Sequence, residues 1–238
     1  MNDLILKISE ISHLSREGHV PSSLSILDIL YVFYKTRPDE KMILSKGHAA
    51  LGLYVVLDHF GLLKNNIEDF CKFGSGLGGH PTDKIENVVA STGSLGHGLP
   101  IGLGMALGYK IKKTDSKVYV IVGDGECNEG TIWECALLAS HHRLNNLVCI
   151  VDYNHSGDRA LGLGDLSSKF VSFGWDVVEI DGHDHSQIED SLNHYSEKPI
   201  LILANTIKGK GLDFMENNPE WHHKSPSEED IRKIISKL

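Results

Sequence analysis

A carboxylate set between two glycines, Gly123-Asp124-Gly125, directly follows the apolar run Val118–Val122, and an amide, Asn154, follows the next apolar run, Leu147–Asp152. The amphipathic segment Thr131–Leu144 lies between them, so the three read as strand, helix, strand. Parallel strands joined by a crossover helix run the same way about 4.8 Å apart, which brings Asp124 and Asn154 to one edge of a sheet. Ligands collect at that edge, beyond the carboxyl ends of the strands. A carboxylate, an amide oxygen and a loop carbonyl form an all-oxygen donor set for Mg²⁺ or Ca²⁺, with phosphate oxygens filling the remaining positions. Such a set suits a metal diphosphate. Asp124 alone would serve equally well as the cap of a tight strand-to-helix turn. Its pairing with Asn154 is what favours a ligand.

Fourteen histidines are many for 238 residues, and several stand in short polar loops: Gly18-His19, Ser45-Lys46-Gly47-His48, Gly79-His80-Pro81 and Trp221-His222-His223-Lys224. Imidazoles donate to phosphate oxygens and move protons near neutral pH. Glycine directly before three of them allows backbone to approach a ligand closely. Zinc is disfavoured, because no two of these loops show compact ligand spacing. The loop Ser91-Thr92-Gly93-Ser94-Leu95-Gly96-His97-Gly98 leads into a helix and offers backbone N–H groups to an anion or a polar ring. Gly74, Gly76 and Gly79 match a dinucleotide-binding spacing but follow no strand, so they carry no such reading.

These groups need a scaffold, and the composition supplies one. With 41% hydrophobic residues the chain can bury a proper core, which excludes disorder as its main state. A net charge of −9 with no Lys/Arg patch argues against nucleic acid as a partner. The longest nearly apolar stretch, Ala49–Leu57, is far short of a bilayer span. The N-terminus lacks the pattern of a secretory leader, so a cytoplasmic protein is expected. Cys71, Cys127, Cys135 and Cys149 contain no close pair and are expected to be buried free thiols.

The first third reads as helical, with one helix carrying Leu24, Leu27, Leu30, Tyr31 and Tyr34 behind Pro21-Ser22-Ser23, and another over Ala49–Phe60. A glycine-rich irregular stretch from Cys71 to Gly98 precedes a helix over Pro100–Lys112, whose Gly102, Gly104 and Gly108 suit close packing within the chain or against a partner subunit. Further strands are expected at Trp175–Ile180 and Ile200–Asn205, a helix at Ser186–Tyr195, and a last helix capped by Ser227 with Asp230. The expectation is a single α/β domain over 1–238, a doubly wound, mostly parallel sheet flanked by helices.

Together these motifs resemble the transketolase family. Ser45-Lys46-Gly47-His48-Ala49, Gly79-His80-Pro81, Thr92-Gly93-Ser94-Leu95-Gly96-His97-Gly98 and Gly123-Asp124-Gly125 through Glu129-Gly130 stand in the family's order, and Asn154 follows Asp124 as in the thiamine diphosphate and metal-binding signature. The resemblance runs from about Gly18 to Lys224. Transketolases are usually single chains more than twice as long, so this sequence looks like the N-terminal, diphosphate-binding subunit of a split transketolase. Three departures stand out: His223 where the family usually has glycine after Trp-His, His155-Ser156-Gly157-Asp158-Arg159 in place of the commoner hydrophobic-rich loop ending in Asp-Gly after Asn154, and His97 where many relatives have glutamine.

The resemblance implies a thiamine diphosphate-binding fold and a ketol transferase that moves a two-carbon unit from a ketose to an aldose. It implies that Asp124, Asn154 and the Ser156 carbonyl ligate Mg²⁺, with Ca²⁺ or Mn²⁺ as substitutes. By the same carry-over Gly125 and Glu126 lie on the diphosphate, His48 and His222 bond its oxygens, and Gly93, Ser94 and Leu95 line the thiamine. His19 and His80 would face the reacting carbons, and Glu129 would join a carboxylate network across a subunit interface. The glutamate that activates the cofactor belongs to a pyrimidine-binding domain that is absent here. A separate C-terminal subunit in an α₂β₂ assembly is therefore implied, with sugar or sugar phosphate substrates. The alternatives are a non-catalytic cofactor-binding half, or one chain of another thiamine diphosphate enzyme of the deoxyxylulose phosphate synthase-like or 2-oxo acid dehydrogenase α-like type.

Overall fold

Alternate residues of Val118–Gly123 enter two different cores, as a strand covered on both faces requires. Val118, Val120 and Val122 belong to one buried cluster, and Tyr119 and Ile121 to the other. The structure, a computed structural model, describes residues 1–238. Its elements in chain order are α1 (Asn2–Ser15), α2 (Val20–Ser25), α3 (Leu27–Thr36), β1 (Lys41–Leu44), α4 (Ala50–His59), α5 (Gly98–Lys112), β2 (Val118–Gly123), α6 (Gly130–His141), β3 (Leu147–Tyr153), α7 (Leu166–Ser172), β4 (Asp176–Asp181), α8 (His185–Asn193), β5 (Ile200–Asn205) and α9 (Glu228–Lys237).

The five strands form one parallel sheet in the order β1-β2-β3-β5-β4. Helices α1 to α4 and α8 build the core on one face, and α5, α6 and α7 the core on the other. This is the doubly wound α/β arrangement that the strand and helix pattern predicts. The expected strand–helix–strand unit is β2–α6–β3, and its register sets Gly123 opposite Asp152, so the two strands end level. Helix α9 carries the expected cap: Ser227 Oγ accepts the Asp230 N–H at 3.2 Å and Asp230 Oδ2 accepts the Ser227 N–H at 2.9 Å. No helix is long and apolar enough to cross a membrane.

Two local expectations need correction, and one strand is unexpected. The helix behind Pro21 is two helices, broken at the fully buried Ile26; apolar spacing passes through the break because both pieces pack into the same core. Strand β1 has no counterpart in the sequence pattern. It is four residues long and exists because β2 supplies a ladder, which the Ser45 N–H extends to Ile121 O at 2.8 Å. Cys127, Cys135 and Cys149 are buried free thiols as expected, but Cys71 is exposed.

Candidate active site

Beyond the carboxyl ends of β2 and β3 lies a polar cleft of about 710 Å³. Asp124 stands at its floor, with Oδ1 accepting the Gly125 N–H at 2.8 Å and Oδ2 accepting the Gly157 N–H at 3.0 Å. Asn154 Oδ1 accepts the Ser156 N–H at 3.1 Å, and Ser156 Oγ is 3.5 Å from Asp124 Oδ1. Asp124 and Asn154 thus meet at one sheet edge, as the crossover argument requires, and Ser156 joins them there. The two loops interlock closely: a Cβ on Gly157 would lie 2.8 Å from Gly125 Cα. Burial raises the Asp124 carboxyl above its ordinary range, outweighing the hydrogen bonds from Gly157 and Gly125.

The capping role open to Asp124 falls instead to Glu126. Its Oε2 accepts the Gly123 N–H at 2.9 Å, while Oε1 accepts the Gly96 N–H at 2.8 Å and the Ser45 hydroxyl at 2.7 Å. Glu126 is therefore a knot between three loops, with its carboxylate committed inside the protein and its acidity weakened by burial. Only Asp124 of the two acids keeps a carboxylate for a cation.

Beneath Asn154 lies a network that sequence reasoning misses. Asp152, fully buried, pairs with Lys46 Nζ and accepts from Ser25 Oγ at 2.7 Å, from Thr206 Oγ1 and from Asn154 Nδ2 at 2.9 Å. Because the amide nitrogen of Asn154 donates downward, its oxygen is turned toward Ser156. An ion pair this deep holds only while both partners remain, since removing one leaves a buried charge uncompensated at a cost of about 3–5 kcal/mol. Lys46 and Asp152 stand 106 residues apart, which no local pattern reveals.

Histidines form the opposite wall. His19 is held at φ 68°, a left-handed conformation uncommon outside glycine, at the junction of α1 and α2. Its ring lies 5.3 Å from that of His48 and 5.4 Å from that of His222, centroid to centroid. Burial, then His223, His222, His80 and Lys208, pushes His19 down to about 4. Burial and the Lys46 ammonium push His48 down to about 2. Both are neutral at pH 7, able to accept a proton at one nitrogen and donate at the other. Lys208 Nζ lies 3.0 Å from His222 Nδ1, so the ammonium donates to Nδ1 and leaves Nε2–H as the free donor. Burial and the nearby Lys46 lower Lys208 to about 8. Lys208 is a second residue that the sequence does not single out; its Lys-Gly-Lys-Gly setting reads only as irregular.

The predicted residues His19, His48, Leu95, Asp124, Gly125, Glu126, Asn154, Ser156 and His222 all line the cleft. Gly93, Ser94, His80 and Glu129 do not. His80 is exposed and sits against the backbone of Gly47 and Gly93, its ring 2.9 Å and 3.3 Å from where their Cβ atoms would be. Glu129 is exposed at the start of α6, beside Gly96. Of the paired histidines, His222 faces the cleft and His223 turns to Glu17, 3.5 Å away.

The cleft fits a metal diphosphate on its own chemistry. Hard oxygen donors gather at one end, above the buried Lys46–Asp152 pair, and Lys208 and neutral imidazoles with N–H donors line the same cleft. Asn128 Oδ1, in the lining, is buried without a hydrogen-bond partner. Unpartnered polar atoms of this kind call for a polar ligand.

Comparison with known proteins points the same way. Residues 13–238 match the family described as transketolase, thiamine diphosphate binding domain. The chain is 35% identical to an apulose-4-phosphate transketolase subunit from Phocaeicola vulgatus, over 98% of this chain and 90% of that protein. It is 34% identical to a 6-deoxy-6-sulfo-D-fructose transketolase subunit from a Clostridium species, over 98% of this chain and 92% of that one. Human transketolase is 33% identical over 93% of this chain and 39% of its own length. The crystal structure of Campylobacter jejuni transketolase superposes with a TM-score of 0.87 at 28% identity, covering 99% of this chain and 41% of that one. The chain thus spans about two fifths of the length of these single-chain transketolases. With the strand-end carboxylate and amide, the histidine wall and the family match over His13–Leu238 in agreement, the chain belongs to the transketolase family through its thiamine diphosphate-binding domain.

Proposed function

We propose that this chain is the diphosphate-binding subunit of a thiamine diphosphate-dependent transketolase, transferring a two-carbon ketol unit from a ketose to an aldose together with a separate pyrimidine-binding subunit. The observation that carries this reading is the meeting of Asp124, Asn154 and Ser156 at level strand ends, in one cleft with Lys208, His48 and His222. Two relatives of similar length, both transketolase subunits, support the division into two chains.

Asp124, Asn154 Oδ1 and the Ser156 carbonyl would hold Mg²⁺, or Ca²⁺ or Mn²⁺ in its place, and the metal would anchor the diphosphate. Lys208 and the Nε2–H of His222 would neutralise and orient phosphate oxygens, with His48 beside them. Thiamine diphosphate, when bound, supplies the nucleophilic carbon and the electron sink for breaking a carbon–carbon bond. His19, neutral at working pH, would take and return the proton of a substrate hydroxyl. His80, outside the cleft in the isolated chain, would complete the substrate channel once a partner closes over it, with Gly93, Ser94 and Leu95 along the thiamine. Glu129 would meet its counterpart across a subunit contact.

The docking face assigned to the partner is the outer side of α5 and α6. Gly104 and Gly108 have open space where side chains would stand, and Leu137 and Leu138 are 61% and 46% exposed. An α₂β₂ assembly, sugar or sugar phosphate substrates and a cytoplasmic setting belong to the same reading. The test mixes this chain with a pyrimidine-binding transketolase chain, thiamine diphosphate and Mg²⁺, and follows a ketose donor and an aldose acceptor by mass spectrometry. An acceptor product lengthened by two carbons, formed only in the mixture, is expected. Equal turnover by this chain alone would contradict the division of labour.

A further inference from the structure

The sequence disfavours zinc because no histidine loop has compact ligand spacing, yet the fold assembles a ligand set from two ends of the chain. Glu17 Oε1 lies 4.0 Å from His19 Nδ1 and 3.5 Å from His223 Nε2, and all three donor atoms fall within 4.8 Å of one another. We propose that Glu17, His19 and His223 form a binding site for a first-row divalent cation of the zinc type, separate from the oxygen-donor site at the strand ends.

Three features of the chain support it. First, the donors are two imidazole nitrogens and one carboxylate oxygen, the set that holds zinc with a fourth position left open. Oxygen-preferring Mg²⁺ belongs instead with Asp124 and Asn154. Second, the separations approach the edge of a zinc tetrahedron, about 3.3 Å for bonds of about 2.0–2.1 Å. The exposed His223 side chain has the freedom to close the remaining gap. Third, the two backbone segments are clasped before any metal arrives. A Cβ at position 18 would lie 2.6 Å from the His223 carbonyl carbon, so only glycine lets the segments touch. Ser225 Oγ donates to Ser12 O at 2.8 Å, and His13 Nδ1 donates to Pro226 O at 2.8 Å. His19 and His223 stack edge to face at 4.5 Å.

The consequence for turnover rests on the proposed function: a cation on His19 occupies a nitrogen of the imidazole assigned to proton transfer, so zinc would inhibit. The binding test does not depend on that reading. Zn²⁺ is titrated calorimetrically into the full chain without cofactor, in a millimolar excess of Mg²⁺ to fill the strand-end site. One zinc per chain is expected, weakened in both Glu17→Gln and His223→Gly by at least about tenfold, the least that loss of an outer-shell partner costs. Circular dichroism checks that each variant is folded. Zinc binding unchanged in Glu17→Gln and His223→Gly, or lost only in Asp124→Ala, would overturn the proposal, as would absence of binding below millimolar zinc.

Discussion

His48 shows how one buried side chain couples the site to pH. Its pKa falls from 6.5 in an exposed state to about 2 in the fold, chiefly because burial disfavours the charged ring. Between those values the unfolded chain binds a proton that the folded chain refuses, so the contribution of His48 to stability is present above pH 6.5 and is lost as pH falls. Asp124 and Glu126 act in the opposite sense, since burial raises both carboxyls and the folded state gains relative stability as they protonate. A comparison of variants separates the two effects. His48→Gln should flatten the acid limb of the stability curve by up to about 1 kcal/mol per pH unit below pH 6.5, measured by urea unfolding at a series of pH values. A variant curve parallel to that of the parent would show that His48 is not buried neutral. Asp124, Asn154 and most histidines of the cleft are legible in the sequence because each sits in a short motif flanked by glycine or at a strand end. Lys46, Asp152 and Lys208 are not, because buried charge pairing between residues distant in sequence leaves no local trace.

At the scale of elements, α5 carries the clearest contrast. A Cβ on Gly102 would lie 2.4 Å from Val120 Cγ2, a branched side chain inside the second core, whereas Gly104 and Gly108 have nothing within 4 Å. Gly102→Ala should therefore cost about 1–3 kcal/mol through overpacking. Gly104→Ala and Gly108→Ala should stabilise the isolated chain by up to about 1 kcal/mol each through helix propensity, yet weaken association with the partner. Thermal unfolding and analytical ultracentrifugation of the mixture check both halves, and unimpaired association would remove the partner from this face. Strands β2, β3 and β5 are legible because sheets buried on both faces read as nearly continuous apolar runs, and the half-exposed edge strand β4 shows only through Val177, Val178 and Ile180. Strand β1 is not, since its Met42-Ile43-Leu44 is too short to stand out without the neighbour that pairs with it. The break at Ile26 is hidden because burial on both sides keeps the apolar spacing intact.

For the molecule as a whole, the cleft sits at one edge of a parallel sheet and gathers residues from the start, middle and end of the chain: His19, Asp124 and Asn154, and Lys208 with His222. Such a site forms only when the entire fold is in place. His80, Gly93 and Ser94 stand outside the cleft lining, and on the proposed function a partner subunit brings them to the substrate. The most direct measurement is calorimetric titration of thiamine diphosphate into the chain mixed with its pyrimidine-binding partner, with Mg²⁺, without it, and with Asp124→Ala in place of the parent. Binding that requires Mg²⁺ and disappears in Asp124→Ala is the predicted result. Equal affinity in all three would contradict the assignment of the strand-end carboxylate and amide to a metal diphosphate.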